Sequence, residues 1–236
     1  MRKGDRSTRA FAGAERRSLL SMSYCSGERC PYGGGQMLAN ILDAERDHIV
    51  AELERRAAAT EGPGMPAIAQ GQIDLYERRP LVALKRLADK RSDVEAALIL
   101  HVQSIRIHFL DLQARALFAA GVDADDDRFV AEADVVARRL FRERVPAAKA
   151  LAHAVAGGIA IHRRRLRDAA TSLKAAQDGF RAAGMKLHSA TVGWQAALLS
   201  DDMSAIDENR RCFLAENVKE PERLAHVFAR LLESRF

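Results

Sequence analysis

Residues 147–184 read AAKALAHAVAGGIAIHRRRLRDAATSLKAAQDGFRAAG. Small and apolar residues recur at helical spacing on both sides of a short basic break, which predicts two amphipathic helices joined by a tight turn. The second carries Ala169, Leu173 and Ala176, so small side chains let a neighbouring helix approach while the leucine fills the gap between them. The chain as a whole is rich in Ala, Leu and Arg and poor in aromatics, which favours helix over strand almost everywhere.

An internal echo extends the reading. Residues 73–87 align with residues 159–173 at an offset of 86: Ile73 with Ile159, Arg78 with Arg164, Arg79 with Arg165, Ala83 with Ala169 and Leu87 with Leu173. Both stretches read as helix, tight turn, helix, and the offset leaves room for one further pair of long helices between them. The A-x3-L-x2-A spacing is that of the second helix of a tetratricopeptide-type repeat. A pair of this kind buries its apolar face only against neighbours, so the pairs are expected to stack. The expectation is an all-α, tetratricopeptide-like solenoid of about nine helices in antiparallel pairs over residues 37–236.

Residues 1–36 are polar, basic and glycine-rich at their end, and are expected to be a disordered tail. Leu38, Ile41, Leu42, Ile49 and Leu53 then predict a helix over residues 37–59, stopped by the Gly- and Pro-rich residues 61–66. Further helices are expected over residues 67–77 and from Pro80, whose missing N–H costs nothing in a first turn. Ser92 and Glu95 suit a capping box for a long helix reaching Ala120 and ended by Gly121. Another is expected from the acidic residues 123–127 to Arg144, then the quoted pair from Pro146, and finally helices near 186–199, 204–216 and 221–233.

The net charge of +5 is concentrated in the tail, which holds seven Lys/Arg against three Asp/Glu; the remaining 200 residues carry only +1. The body therefore gives little electrostatic reason for a nucleic-acid or anionic-membrane partner. Cys25, Cys30 and Cys212 form no even framework, which fits a reducing cytoplasm. The most apolar helix, around residues 96–121, carries His101, Arg106, His108, Asp111 and Arg115, so it is not expected to cross a membrane.

Candidate sites are few. Arg163, Arg164, Arg165 and Arg167 are the densest charge in the body and could hold a phosphate or an acidic partner segment, although a solvated turn that also suits the helix C-terminus is the simpler reading. Asp123, Asp125, Asp127 and Asp134 fall at calcium-loop positions, but Arg128 stands where the loop needs glycine, so an acidic helix start is the better reading. His101 and His108 are two turns apart and suit core positions better than zinc. Cys25 and Cys30 lack two further ligands, and Trp194 and Tyr76 read as packing residues. No phosphate loop, kinase signature, dinucleotide fingerprint, nucleophile elbow or H-E-x-x-H is present. No catalytic residue, cofactor or metal is expected.

Three stretches carry a family likeness: residues 73–76 (Ile-Asp-Leu-Tyr), residues 97–103 (Ala-Leu-Ile-Leu-His-Val-Gln) with Arg106, and residues 180–185 (Phe-Arg-Ala-Ala-Gly-Met) with residues 221–225 (Pro-Glu-Arg-Leu-Ala). In this order they resemble the C-terminal tetratricopeptide-like region of large bacterial serine/threonine protein kinases of the myxobacterial and planctomycete type, which carry an ATPase module between kinase and repeats. The resemblance covers roughly residues 37–236. It departs where Arg163 and Arg164 stand in place of the usual Gly-Asp turn, and neither kinase nor ATPase is part of this chain. It implies a non-catalytic, cytoplasmic scaffold or sensor arm that binds a protein or peptide partner in signalling. The runner-up is a nucleic-acid-associated regulator using the tail and the Arg163–Arg167 turn. A remnant of a longer kinase gene is a third reading.

Overall fold

The computed structural model describes residues 64–96, 100 and 102–229. The basic tail over 1–36, the helix over 37–59, Cys25, Cys30 and His101 lie outside the described residues.

Every described element is a helix: α1 Gly64–Tyr76, α2 Pro80–Ala96, α3 Gln103–Ala124, α4 Asp127–Phe141, α5 Pro146–His162, α6 Leu166–Ala182, α7 Lys186–Leu199, α8 Met203–Ala215 and α9 Pro221–Phe228. Proline opens α2, α5 and α9, where the ring's fixed φ suits a first turn. The echoed stretches have the backbone that their alignment predicts. Arg78 and Arg164 both take φ 57°, and the next residue's N–H reaches back five residues, Arg79 to Asp74 O and Arg165 to Ala160 O, each at 2.8 Å. Asp125, Gly184, Asp201 and Asn217 repeat this left-handed C-terminal turn after α3, α6, α7 and α8. Links this short hold successive helices antiparallel.

The helices differ in how many sides they bury. Twelve residues of α3 and eleven of α5 are buried, against four of α6 and five of α4. Thus α3 and α5 lie inside with neighbours on several sides, and α4 and α6 cover them from outside. Glycine makes the inner–outer contact close. A Cβ on Gly157 would stand 2.8 Å from Leu173 Cδ2, and Ala169, Leu173 and Ala176 are wholly buried beneath α5. The glycine–alanine spacing of twelve residues recurs in four pairs: Gly71 and Ala83, Gly121 and Ala133, Gly157 and Ala169, Gly193 and Ala205. Gly121 and Gly193, like Gly157, stand close to the second helix of their pair, at Val130 and Asn209, whereas Gly71 stands close to Leu112 of α3.

Successive helices pack together in order, and α9 then packs on α1 as well as on α7 and α8. One apolar cluster accordingly runs from Ile73, Leu87 and Leu112 to Trp194, Phe213, Leu224 and Phe228, joining the first described pair to the last. Helix α9 fills the side of the array on which these helices face one another. A recess with a cavity volume of about 20 Å³, room for about one water, lies between α1, α3, α5, α7 and α9.

Several expected boundaries need correction. Residues 92–95 lie inside α2, and α3 starts at Gln103 after an extended Val102. The S-x-x-E pattern also occurs within a charged helix, and only the following chain decides its role. Gly121 does not end α3, which runs three residues further. The glycine is where Val130 of α4 comes close, with a Cβ there standing 2.7 Å from Val130 Cγ2. Helix α4 begins at Asp127 with Asp126 as its cap and stops at Phe141, short of Arg144. Glu143, in the following link, instead accepts from Arg106 Nε at 2.7 Å and from Gln103 Nε2 at 3.1 Å. Helix α1 starts at Gly64, so Pro66 sits in its first turn rather than before it. The last helix is described to Phe228, and Ala229 is extended.

Candidate functional site

Two groupings of charge bear on a functional site. The first is the edge formed by the turns α1–α2, α3–α4, α5–α6 and α7–α8. Arg163, Arg164, Arg165 and Arg167 are all exposed there. Arg165 Nη1 stands 3.5 Å from Asp168 Oδ2, a solvated pair worth little. Arg164 holds the left-handed position of the turn, which aims its side chain outward. Beside this basic turn lies the acidic one, because His162 Nε2 at the end of α5 stands 3.6 Å from Asp127 Oδ1 at the start of α4.

The aspartates in these turns have a structural task. Asp126 accepts from Arg128 N and Asp202 from Ala205 N, each at 3.0 Å, capping α4 and α8. The Asp126 carboxyl is held below its ordinary range by the Arg128 side chain and main-chain N–H. Asp123 lies in the last turn of α3 while Asp127 and Asp134 lie on α4, so these residues do not share one loop. Among the described residues no three His, Cys, Asp or Glu side chains are grouped so as to hold a metal. The edge also exposes an apolar residue from the first turn of three outer helices: Leu81, Leu166 and Met203, 56%, 57% and 56% exposed.

The second place is internal. On α3, Asp111 and Arg115 are one turn apart and both buried; Arg115 Nη2 and Nε donate to Asp111 Oδ2 at 2.7 and 3.0 Å. Arg115 Nη1 reaches Gln72 Oε1 of α1 at 3.1 Å and also donates to the Val227 carbonyl of α9. One guanidinium thus ties three helices together, and as a cation it suits the carbonyl end of α9. Asp111 Oδ1 is buried with no hydrogen-bond partner among the described residues. A buried pair of this kind fixes which surfaces meet more than it adds stability.

His108 and His188 lie close to this pair. Burial pushes His108 down to about 4, with Asp111 opposing and Arg115 adding to the shift. His188 is pushed down to about 3 by burial, then by Arg115 and His108. Its ring sits between Phe180 of α6 at 5.3 Å and Phe228 of α9 at 4.1 Å. Both imidazoles are neutral in the fold at pH 7 and serve as packing groups.

A second clasp holds α9 near its start. Arg223 Nε donates to the Tyr76 carbonyl at 3.1 Å, and its guanidinium lies 4.4 Å from the Tyr76 ring centroid. The packing reading of Tyr76 therefore omitted its main contact, which links positions 147 residues apart. Trp194 is buried against Phe213. Asp111 and Arg115 were legible only as charges that keep α3 out of a membrane. Their i, i+4 spacing on an otherwise apolar helix was the available sign of a buried pair. No described helix is long and apolar enough to cross a membrane.

Comparison with family models, with curated proteins and with solved structures found no match for this chain, so the kinase-region resemblance stands on its quoted residues alone.

Proposed function

We propose that this chain is a non-catalytic, tetratricopeptide-like helical-repeat module that binds a protein or peptide partner, in a cytoplasmic bacterial signalling setting like that of the kinases it resembles. The observation that carries the reading is the recurrence of one helix-pair design. Glycine and alanine recur twelve residues apart in four pairs, with the same left-handed turn between them. Repetition of this kind sets equivalent turns along one edge. That edge presents Leu81, Leu166 and Met203, with Arg163, Arg164, Arg165 and Arg167 flanking Leu166, an apolar and cationic surface suited to an amphipathic acidic segment. The inner groove is not the contact surface in this form, because α9 fills it. No observation favours the nucleic-acid reading, since the acidic turn at Asp126 and Asp127 adjoins the basic one and weakens its field.

The test is a peptide-display selection against the intact chain, followed by titration of the selected peptides. Replacing Arg163, Arg165 and Leu166 by serine is expected to weaken binding at least tenfold with the melting temperature unchanged. Peptides that bind the edge variant as well as the parent would refute the assignment of this surface.

A further inference from the structure

Helix α9 sits in the array as a bound helix sits in a receptor. It has eight residues, too few for an isolated helix to persist in water. It lays Leu224, Val227 and Phe228 (positions i, i+3 and i+4) into the cluster built by α1, α3 and α7. The array supplies three kinds of recognition. Its apolar trough takes those side chains, buried Arg115 meets a carbonyl of the last helical turn, and Tyr76 offers both a ring face and a carbonyl to Arg223. Arg115 is itself oriented by Asp111 and Gln72, residues of α3 and α1, so the receiving side is built without α9. The α8–α9 link adds Val218 to the same cluster, but the contacts named are made by residues of α9 itself, so a helix of the same pattern on another chain satisfies them equally.

We propose that the inner face of the array is a helix-binding groove that α9 occupies in cis. Its partner in trans is an amphipathic helix with bulky apolar residues at i, i+3 and i+4 and an arginine at i−1. Partner and α9 exclude each other, so the affinity for the partner falls by the fraction of time the groove is closed, and loosening α9 restores it. This surface is separate from the turn edge, and the inference does not rest on the function proposed for that edge.

The probe is a fluorescein-labelled peptide of residues 219–229 titrated into the intact chain and into its Arg223→Ala variant. Saturable binding is expected to both, five- to tenfold tighter to the variant, whose own α9 has lost its clasp while the peptide keeps its arginine. A peptide carrying Leu224→Asp and Phe228→Asp is expected not to bind. If Arg223→Ala proves unfolded by Trp194 fluorescence, Arg223→Lys loosens the same contact more gently and is expected to shift affinity in the same direction. Absence of binding to chains that unfold cooperatively, or equal binding of the aspartate peptide, would overturn the proposal. So would a dimer seen by light scattering without peptide, which assigns the groove to α9 of a second copy.

Discussion

Acidification from pH 7 to pH 5 is expected to remove about 4 kcal/mol of stability, through two rings. Folding holds His108 at about 4 and His188 at about 3, whereas in the unfolded chain each titrates near 6.5. A base with a depressed folded pKa favours the folded state above the unfolded value. As pH falls below 6.5 the unfolded chain takes up protons that the folded chain refuses, and stability drops until the folded values are reached. Between pH 7 and pH 5 this amounts to about 2 kcal/mol per ring. Partly buried His153, also lowered by desolvation, adds a smaller loss of the same sign. Glu143 and Asp126 are carboxylates held low by Arg106 and Arg128, so their contributions fade only under more acidic conditions. The assay is urea unfolding at pH 7, 6 and 5, followed by fluorescence of Trp194, the one tryptophan in the sequence. His188→Leu keeps an apolar group between Phe180 and Phe228, and is expected to remove roughly half of the pH dependence. A midpoint unchanged between pH 7 and pH 5, or a His188→Leu variant that loses as much as the parent, would refute the reasoning.

Other substitutions probe the packing. Gly157→Val forces branched atoms into Leu173, already 2.8 Å from a Cβ at that site, and is expected to cost about 2–3 kcal/mol in chemical denaturation. Arg164→Gly relieves a left-handed residue that costs roughly 1–2 kcal/mol, partly offset by the entropy of glycine, so a gain of about 0.5–1 kcal/mol is expected by the same measurement. Asp74 is fully buried and accepts from Arg86 Nε at 2.8 Å and Arg79 Nη2 at 3.2 Å. Asp74→Ala removes the buried acceptor of two partly exposed cations, of which Arg79 keeps Glu77, and is expected to lower stability by about 1–2 kcal/mol. Arg163→Ser, an exposed change, is expected to stay within about 0.5 kcal/mol of the parent in thermal melts.

The helical class, the tight basic turn and the buried face of α6 are local properties, and they were legible in the sequence. Ala169, Leu173 and Ala176 recur at helical spacing because one face of α6 lies against α5, and periodicity reports such a face directly. The echo at offset 86 likewise marked two turns of identical backbone, because the same left-handed residue ends both helices. Boundaries were less legible. Residues 92–95 and Gly121 match cap chemistry, but a helix stops only where its neighbours leave no reason to continue. The closure of the array was not legible at all. Arg115 meets Val227 across 112 positions, and Arg223 meets Tyr76 across 147. No periodicity within a window of a few turns encodes such distances. The sequence by itself determined a chain of amphipathic helices that must stack to bury their faces. Only the tertiary structure decided that α9 turns back onto α1 and fills the inner side, because that choice rests on the shape of a trough and a buried cation assembled from three separate helices.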